Sequence, residues 1–112
     1  MTDTEWDSTI EQLASRNPTI TDAITYLVEV FQRVYNVTSY GINCGLCEDF
    51  AAGICRLVPG ATFDWGDAFC VEGDDTDYYA YHCIVYYNGL FYDSEHPWGV
   101  DDFRKISAFH SH

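Results

Sequence analysis

Hydrophobic residues recur at helical spacing through the first half of the chain. Steps of three and four, which mark one face of a helix, occur in residues 5–15, 22–36 and 47–58. Thr21 or Asp22 is suited to cap the second helix, and Pro59-Gly60 ends the third. We therefore predict three helices, with the polar segment 36–43 ending the second.

The second half of the chain is rich in aromatic and β-branched residues, which favour strands. Residues 68–72 and 78–87 have this composition, and Asn88-Gly89 is a strong hairpin signal that returns the chain along 90–93. The acidic segment between the first two strands is predicted to be a turn, and the C-terminal tail adds a short strand or turn. Because helices precede strands, we predict an α+β fold in a single domain, residues 1–112.

The two-residue turn also determines which hairpin residues pair. Tyr86 then faces Phe91, and the alternation of a strand places His82 and Asp93 on the same face of the sheet. Their backbones are diagonal neighbours about 7–8 Å apart, close enough for the side chains to meet. The same face carries Ile84, so we predict that it packs against the third helix.

The charge of the chain narrows the possible partners. It has 18 acidic and 5 basic residues, a net charge of −13, and such a surface repels nucleic acid and anionic membranes. There is no run of 18 apolar residues to span a membrane. The acidic N-terminus lacks the basic and apolar regions of a secretory signal, so we expect a cytoplasmic protein with reduced cysteines.

Three of the five cysteines, Cys44, Cys47 and Cys55, fall within 12 residues. Cys47 opens the third predicted helix, where the helix dipole and unpaired N–H groups lower the pKa of a thiol. A small buried hydrophobic residue is the simpler interpretation of the same position. Cys55 and Cys70 are predicted core residues.

A metal site or a redox pair is a weaker interpretation of the cysteines. Cys44 and Cys47 form one C-x-x-C pair, but a strand before it, as a redox motif needs, is not indicated. A zinc site needs four ligands, and His82 and Cys83 point to opposite faces of their strand. We predict no metal and no cofactor.

Cys47, His82 and Asp93 have the chemistry of a nucleophile, a base and a group that orients the base. Glu95 is a rival for the orienting role, and His96 is a rival base in a loop before Pro97. A structural ion pair between His82 and Asp93 is the alternative explanation.

The stretches GLCEDFA and YHCIVYYNGLFYDSEHPWGV resemble the papain-like superfamily in its compact NlpC/P60-type and transglutaminase-like forms, over about residues 40–100. This resemblance implies a cysteine-bearing helix packed on an antiparallel sheet, with Cys47 as nucleophile, His82 as base and Asp93 as orienter. It implies a hydrolase or transferase acting on an amide or ester, such as a peptide. Asn43 and Tyr40 are the candidates for an oxyanion donor ahead of the cysteine.

The acidic residues support a second, non-enzymatic function. A cluster that we call the acidic cluster comprises Asp64, Asp67, Glu72, Asp74, Asp75 and Asp77. The composition is similar to that of phage anti-CRISPR and other DNA-mimic proteins, which bind a basic protein partner through carboxylates. Solubility or adaptation to high salt explains the same charge more simply.

Overall fold

The computed structural model describes residues 2–110 and confirms an α+β fold. The helices are α1 (Asp3–Ala14), α2 (Ile20–Tyr35), α3 (Ser39–Asn43), α4 (Cys47–Leu57) and α5 (Thr76–Tyr79). The strands β1 (Thr62–Trp65), β2 (Cys83–Tyr87) and β3 (Leu90–Tyr92) form one antiparallel sheet in the order β1-β2-β3. Within the described residues, no helix has the length and apolar character needed to cross a membrane.

The three predicted helices are present, and a threonine side chain caps the start of the first two. Thr19 caps α2 by accepting the N–H of Asp22 at 3.2 Å, so the predicted cap at Thr21 or Asp22 was placed too late. Ile20 is buried, and its burial extends the helix two residues beyond the predicted start. The helix ends at Asn36, whose φ of 54° is the left-handed conformation common after a last helical turn.

A short helix, α3, occupies the segment that we interpreted as an irregular connection. Thr38 caps it by accepting the N–H of Gly41 at 3.1 Å. Ile42 and Asn43 are its two buried residues, and two positions are too few to produce a periodic pattern. This helix matters because it carries Asn43 and Tyr40 next to the start of α4.

The first strand lies earlier than predicted. β1 spans Thr62–Trp65, whereas the predicted strand at 68–72 begins in a 3-10 turn (Gly66–Phe69) and continues as a loop. All four residues of β1 are exposed, and their sequence, TFDW, alternates polar and apolar residues, a short signal that our prediction did not use. The hydrophobic residue Phe69 instead packs sideways from the turn, with its ring 5.2 Å from that of Phe91.

The second strand is shorter than its composition suggests. Residues 76–79 form α5, and β2 begins only at Cys83. The ring of Tyr79 packs 5.1 Å from Phe103 and 5.0 Å from Phe109. The aromatic residues before β2 therefore pack against the C-terminal segment. The predicted strand at 78–87 is wrong over its first five residues, because β2 begins at Cys83.

The two faces of the sheet are covered by different parts of the chain. Helix α4 packs on the face that carries Cys83 and Val85. The opposite face, with Ile84, is covered by the C-terminal segment through Phe103 and Phe109. Our prediction that the Ile84 face packs on α4 is therefore wrong, because two short 3-10 turns of the tail, Phe103–Lys105 and Ser107–His110, fill that side.

Gly66, the first residue of the 3-10 turn after β1, lies close to this C-terminal segment. A Cβ at this position would lie 2.5 Å from Cζ of Phe109 and 2.6 Å from the carbonyl oxygen of Tyr79. We expect Gly66→Ala to lower the free energy of unfolding by about 1–3 kcal/mol, as overpacking does in a well-packed core. Urea denaturation measures this change.

Gly45→Ala is the matched control for this prediction. No atom lies within 4 Å of a Cβ at Gly45, so we expect a change within about 0.5 kcal/mol, as for other unstrained surface sites. Equal stabilities of the two variants would contradict the close packing around Gly66.

Candidate active site

The ends of three elements converge near one point. Cys47 is the first residue of α4, His82 directly precedes β2, and Asp93 directly follows β3. Nε2 of His82 lies 2.9 Å from Oδ2 of Asp93, and the backbone N–H of Cys83 donates to Sγ of Cys47 at 3.4 Å. The structure thus brings together the three residues predicted to form a triad, while their catalytic role stays a prediction.

The imidazole of His82 is held in one orientation. Its side chain is 5% exposed, and the ring of Phe109 packs against it with centroids 5.3 Å apart. Because Nε2 is bonded to Asp93, Nδ1 is the nitrogen left to interact with the thiol of Cys47. Nδ1 has no hydrogen-bond partner among the described residues, so it is available to exchange a proton.

The surroundings of Cys47 favour its thiolate. Burial by itself raises the pKa of this thiol, but the imidazole of His82 and the backbone N–H of Cys83 outweigh burial, and the net pKa is lowered. The N–H of Glu48 in the first turn of α4 acts in the same direction. A thiolate at a helix N-terminus is also stabilised by the helix dipole.

The pKa of His82 is shifted in the opposite direction to that of Cys47. Burial alone would lower its pKa, but the hydrogen bond with Asp93 and the interaction with Cys47 raise it to about 9. A lowered thiol pKa next to a raised imidazole pKa favours a thiolate–imidazolium pair at neutral pH. Such a pair supplies a nucleophile and a proton donor together.

Asp93 is itself positioned by a buried network that the sequence did not reveal. Its Oδ2 accepts the side-chain N–H of Asn43 at 3.2 Å, and its Oδ1 accepts the backbone N–H of Glu95 at 2.9 Å. Oγ of Ser94 lies 2.8 Å from Oδ1 of Asn43 and 2.7 Å from the carbonyl oxygen of Ser39. The network ties the residues after β3 to helix α3.

The other residues that the sequence suggested for the site have contacts that differ from those of the triad. Nδ2 of Asn43 donates to Asp93 and, at 2.8 Å, to Glu95, so both of its N–H groups face carboxylates, leaving none for an oxyanion. Tyr40 is 53% exposed on the wall of a cavity. Glu95 contacts Asn43 instead of His82, and His96 accepts the N–H of Ser107 at 3.0 Å.

A cavity of about 250 Å³ opens beside His82. Its walls include Tyr40, Cys44, Tyr78 and Tyr81. Cys47 is 8% exposed, and His82, not Cys47, is the triad residue that lines this cavity. The loop after α3 and the residues before β2 therefore bound any approach to the imidazole.

The other cysteines differ from Cys47 in their surroundings. All five are free thiols, and burial raises the pKa of Cys55 to about 11 and that of Cys83 to about 12. We predicted Cys55 and Cys70 as core residues, but both are only half-buried. Each packs against one of the two buried clusters that cover the faces of the sheet. Within residues 2–110, no group of three or more His, Cys, Asp or Glu side chains is arranged to hold a metal ion.

The acidic cluster is only partly a free surface. Asp74 accepts the N–H of Val71 at 2.9 Å and pairs with Arg104 at 3.3 Å, so it ties its loop to the C-terminal segment. The five other carboxylates of the cluster belong to exposed residues. A function of these carboxylates in binding a basic partner stays a prediction.

Compared with protein-family models, with curated proteins and with solved structures, the chain matches none of them.

Proposed function

We propose that the chain is a small cytoplasmic cysteine hydrolase or transferase of papain-like type, which acts on an amide or ester. The observation that carries the proposal is His82, whose Nε2 is bonded to the buried Asp93, which leaves its unpartnered Nδ1 as the nitrogen for the neighbouring thiol of Cys47. A solely structural ion pair does not require a thiol with a lowered pKa beside it. The free thiols are in keeping with a reducing compartment.

The reaction begins with the thiolate of Cys47 and the imidazolium of His82. The sulfur attacks the carbonyl carbon of the substrate, a C–S bond forms, and the carbonyl π electrons move to oxygen. When the tetrahedral intermediate collapses, the bond to the leaving amine or alcohol breaks, and His82 donates its proton to that leaving group. The product of this half-reaction is a thioester on Cys47.

The second half-reaction releases the acyl group. His82, now neutral, removes a proton from water as the water oxygen attacks the thioester carbonyl, and the thiolate leaves. An amine or alcohol in place of water makes the same step a transfer. The N–H of Cys47 is the proposed oxyanion donor, because the first N–H groups of a helix have no carbonyl partner within the helix.

The reactivity of Cys47 towards iodoacetamide tests this proposal without knowledge of the substrate. Alkylation consumes the thiolate, so the rate at each pH between 4 and 9, read by mass spectrometry of the Cys47 peptide, reports the pKa of the thiol. We expect a thiolate that persists well below pH 8.5, the value for a free cysteine. In His82→Ala we expect this low-pH reactivity to disappear.

The same spectra contain internal references. Cys44 is an exposed thiol three residues away, and Cys83 is buried with a raised pKa, so Cys83 should remain unmodified throughout. A Cys47 that reacts no faster than Cys44 at pH 6, or a profile unchanged in His82→Ala, would contradict the proposal. That result would favour the acidic binding function predicted from the charge.

A further inference from the structure

Two thiols lie at the junction between α3 and α4. Cys44 directly follows α3, and Cys47 opens α4, so the pair has the spacing C-x-x-C. The element before the pair is a helix, whereas a thioredoxin-like motif has a strand there. A redox function of this pair therefore depends on the surroundings of the two thiols and not on the motif.

The two thiols differ in the way that an oxidation-sensitive pair requires. Sγ of Cys47 accepts the N–H of Cys83 at 3.4 Å, and its place in the first turn of α4 stabilises a thiolate. Cys44 is exposed and lines the cavity beside His82. A thiolate is the form that hydroperoxides oxidise, and an accessible second thiol beside it captures the oxidised sulfur as a disulfide.

The chain between the two cysteines is short and can adjust. Cys44 has φ −86° and ψ −7°, close to the helical conformation, and residues 44–46 form a turn. Residues three apart in a helical turn have Cβ atoms about 5–6 Å apart, and a disulfide needs about 3.8 Å. Gly45 lies between the cysteines with no atom within 4 Å of a Cβ, so its backbone is free to make this small movement. The thiol of Cys44 then exchanges its contact with the hydroxyl of Tyr40 for a bond to Cys47.

The other three cysteines are less suited to capture an oxidised Cys47. Cys55 lies eight residues further along α4, a distance of about 12 Å at the rise of a helix. Cys70 packs in the cluster on the opposite face of the sheet. Cys83 is adjacent, but burial raises its pKa to about 12, and a thiol attacks sulfur only as its thiolate.

We propose that Cys44 and Cys47 form a disulfide when Cys47 is oxidised by a hydroperoxide, and that this bond reversibly removes the nucleophile of the site. The loss of acyl transfer rests on the proposed hydrolase function, whereas the disulfide rests only on the two thiols. Disulfides in reducing compartments are usually transient and redox-sensing, which agrees with a bond that forms under oxidation and is then reduced.

The oxidation needs two steps and one molecule of hydrogen peroxide. The thiolate of Cys47 attacks one peroxide oxygen, the O–O bond breaks, and the departing hydroxide takes the proton of the His82 imidazolium to become water. Cys47 is then a sulfenic acid. The sulfur of Cys44 attacks it, the S–S bond forms, the S–O bond breaks, and the hydroxide leaves with the proton of Cys44 as a second water. Peroxide thus gains the two electrons that the two sulfurs lose, and an added dithiol returns them by attack on the disulfide.

Peptide mapping after oxidation tests the disulfide directly. Cleavage after glutamate isolates the pair, because residues 30–48 contain Cys44 and Cys47 and no other cysteine, while the other three fall in residues 49–72 and 73–95. The reduced protein would be treated with one equivalent of hydrogen peroxide at pH 7, and the remaining thiols alkylated after denaturation. We expect the peptide 30–48 to be unalkylated and lighter by two hydrogen atoms, and dithiothreitol to restore both alkylation sites. A peptide 30–48 that stays fully reduced, or that is joined to 73–95, would overturn the proposal.

Cys44→Ala tests whether this thiol protects Cys47. Without a resolving thiol, excess peroxide should convert Cys47 to a sulfinic acid, which dithiothreitol does not reduce. Cys55→Ala is the matched control, because it removes a cysteine of α4 that is too distant to pair, and it should form the same disulfide as the unmodified protein. Equal amounts of sulfinic acid in Cys44→Ala and in the unmodified protein would overturn the protective role.

Acylation by p-nitrophenyl acetate separates this proposal from the hydrolase itself. In the unmodified protein we expect the rate to fall at least about 10-fold on oxidation, because a sulfur in a disulfide is not a thiolate, and to return with dithiothreitol. Acylation without formation of the disulfide overturns the redox pair and leaves the hydrolase. A reversible disulfide in a protein that is not acylated before oxidation overturns the hydrolase and leaves the redox pair.

Discussion

Asp93→Asn is expected to slow the acylation of Cys47 by an activated ester about 10- to 100-fold at pH 7. The carboxylate accepts three N–H groups, from His82, Asn43 and Glu95, and an amide has only one oxygen for them. If the amide oxygen faces His82, its NH₂ group opposes the N–H of Glu95. If the NH₂ group faces His82, the imidazole must carry its proton on Nδ1 and cannot take the thiol proton.

Both arrangements remove the negative charge that raises the pKa of His82. Without an imidazolium partner, Cys47 returns towards a free thiol, of which only a few per cent is ionised at pH 7, and this loss of thiolate sets the expected factor. The release of p-nitrophenolate from p-nitrophenyl acetate measures it, with the acyl adduct on Cys47 confirmed by mass spectrometry. For an amide substrate the loss should be larger, about 10²- to 10⁴-fold, because proton donation to the leaving group is also impaired.

Glu95→Gln is the matched control, since Glu95 was the rival to Asp93 for the orienting role. Its Oε1 accepts from Asn43 at 2.8 Å, and no hydrogen bond joins it to His82. We expect a change of less than about threefold, because a glutamine oxygen accepts the same bond. Equal losses in Asp93→Asn and Glu95→Gln would show that Asp93 acts only through the general charge of the site.

The contact between His82 and Asp93 was predictable because it depends on local geometry. Asn88-Gly89 allows one register, and the observed pairing of Tyr86 with Phe91 confirms it. The start of α4 at Cys47 is likewise confirmed, since the helical pattern and Pro59-Gly60 define that helix. A prediction of this kind needs only the residues on either side of one turn.

The support around the triad was not predictable, because it comes from contacts distant in sequence. Asn43 reaches Asp93 across 50 residues from a helix too short to show a pattern. The face of His82 is covered by Phe109, in a tail with no strand or helix periodicity. Composition marked both segments as connections, and only the packing shows that they hold the site together.

The pH dependence of stability provides an independent test of the ion pair. A pKa raised from 6.5 to about 9 makes folding favour the protonated His82, a contribution that is present below pH 6.5 and is lost as the pH rises through about 9. A lowered thiol pKa has the opposite sign: the contribution of Cys47 is present at high pH and is lost as the pH falls through the lowered pKa.

The two contributions cancel in the unmodified protein between about pH 6.5 and 9, because the folded pair and the unfolded pair then bind one proton each. In Cys47→Ala only the His82 contribution remains, so we expect the free energy of unfolding to fall as the pH rises above 6.5. Cys47 is one of the groups that raise the pKa of His82, so at about 1.4 kcal/mol per pKa unit the fall in this variant stays below about 3 kcal/mol. Urea denaturation between pH 5.5 and 8.5 measures both proteins in the range below the titration of the other buried thiols.

The decisive quantity is the difference between the two free energies of unfolding, unmodified protein minus Cys47→Ala, because groups common to both cancel from it. This difference should increase with pH. The unmodified protein keeps its thiolate–imidazolium pair at pH values at which the variant loses the positive charge of His82. Cys44→Ala, which removes an exposed thiol, should give a difference that does not change with pH. A difference that stays constant for Cys47→Ala as well would mean that Cys47 keeps its proton in the folded protein over this pH range, and that any chemistry at this site starts from a thiol instead of a thiolate.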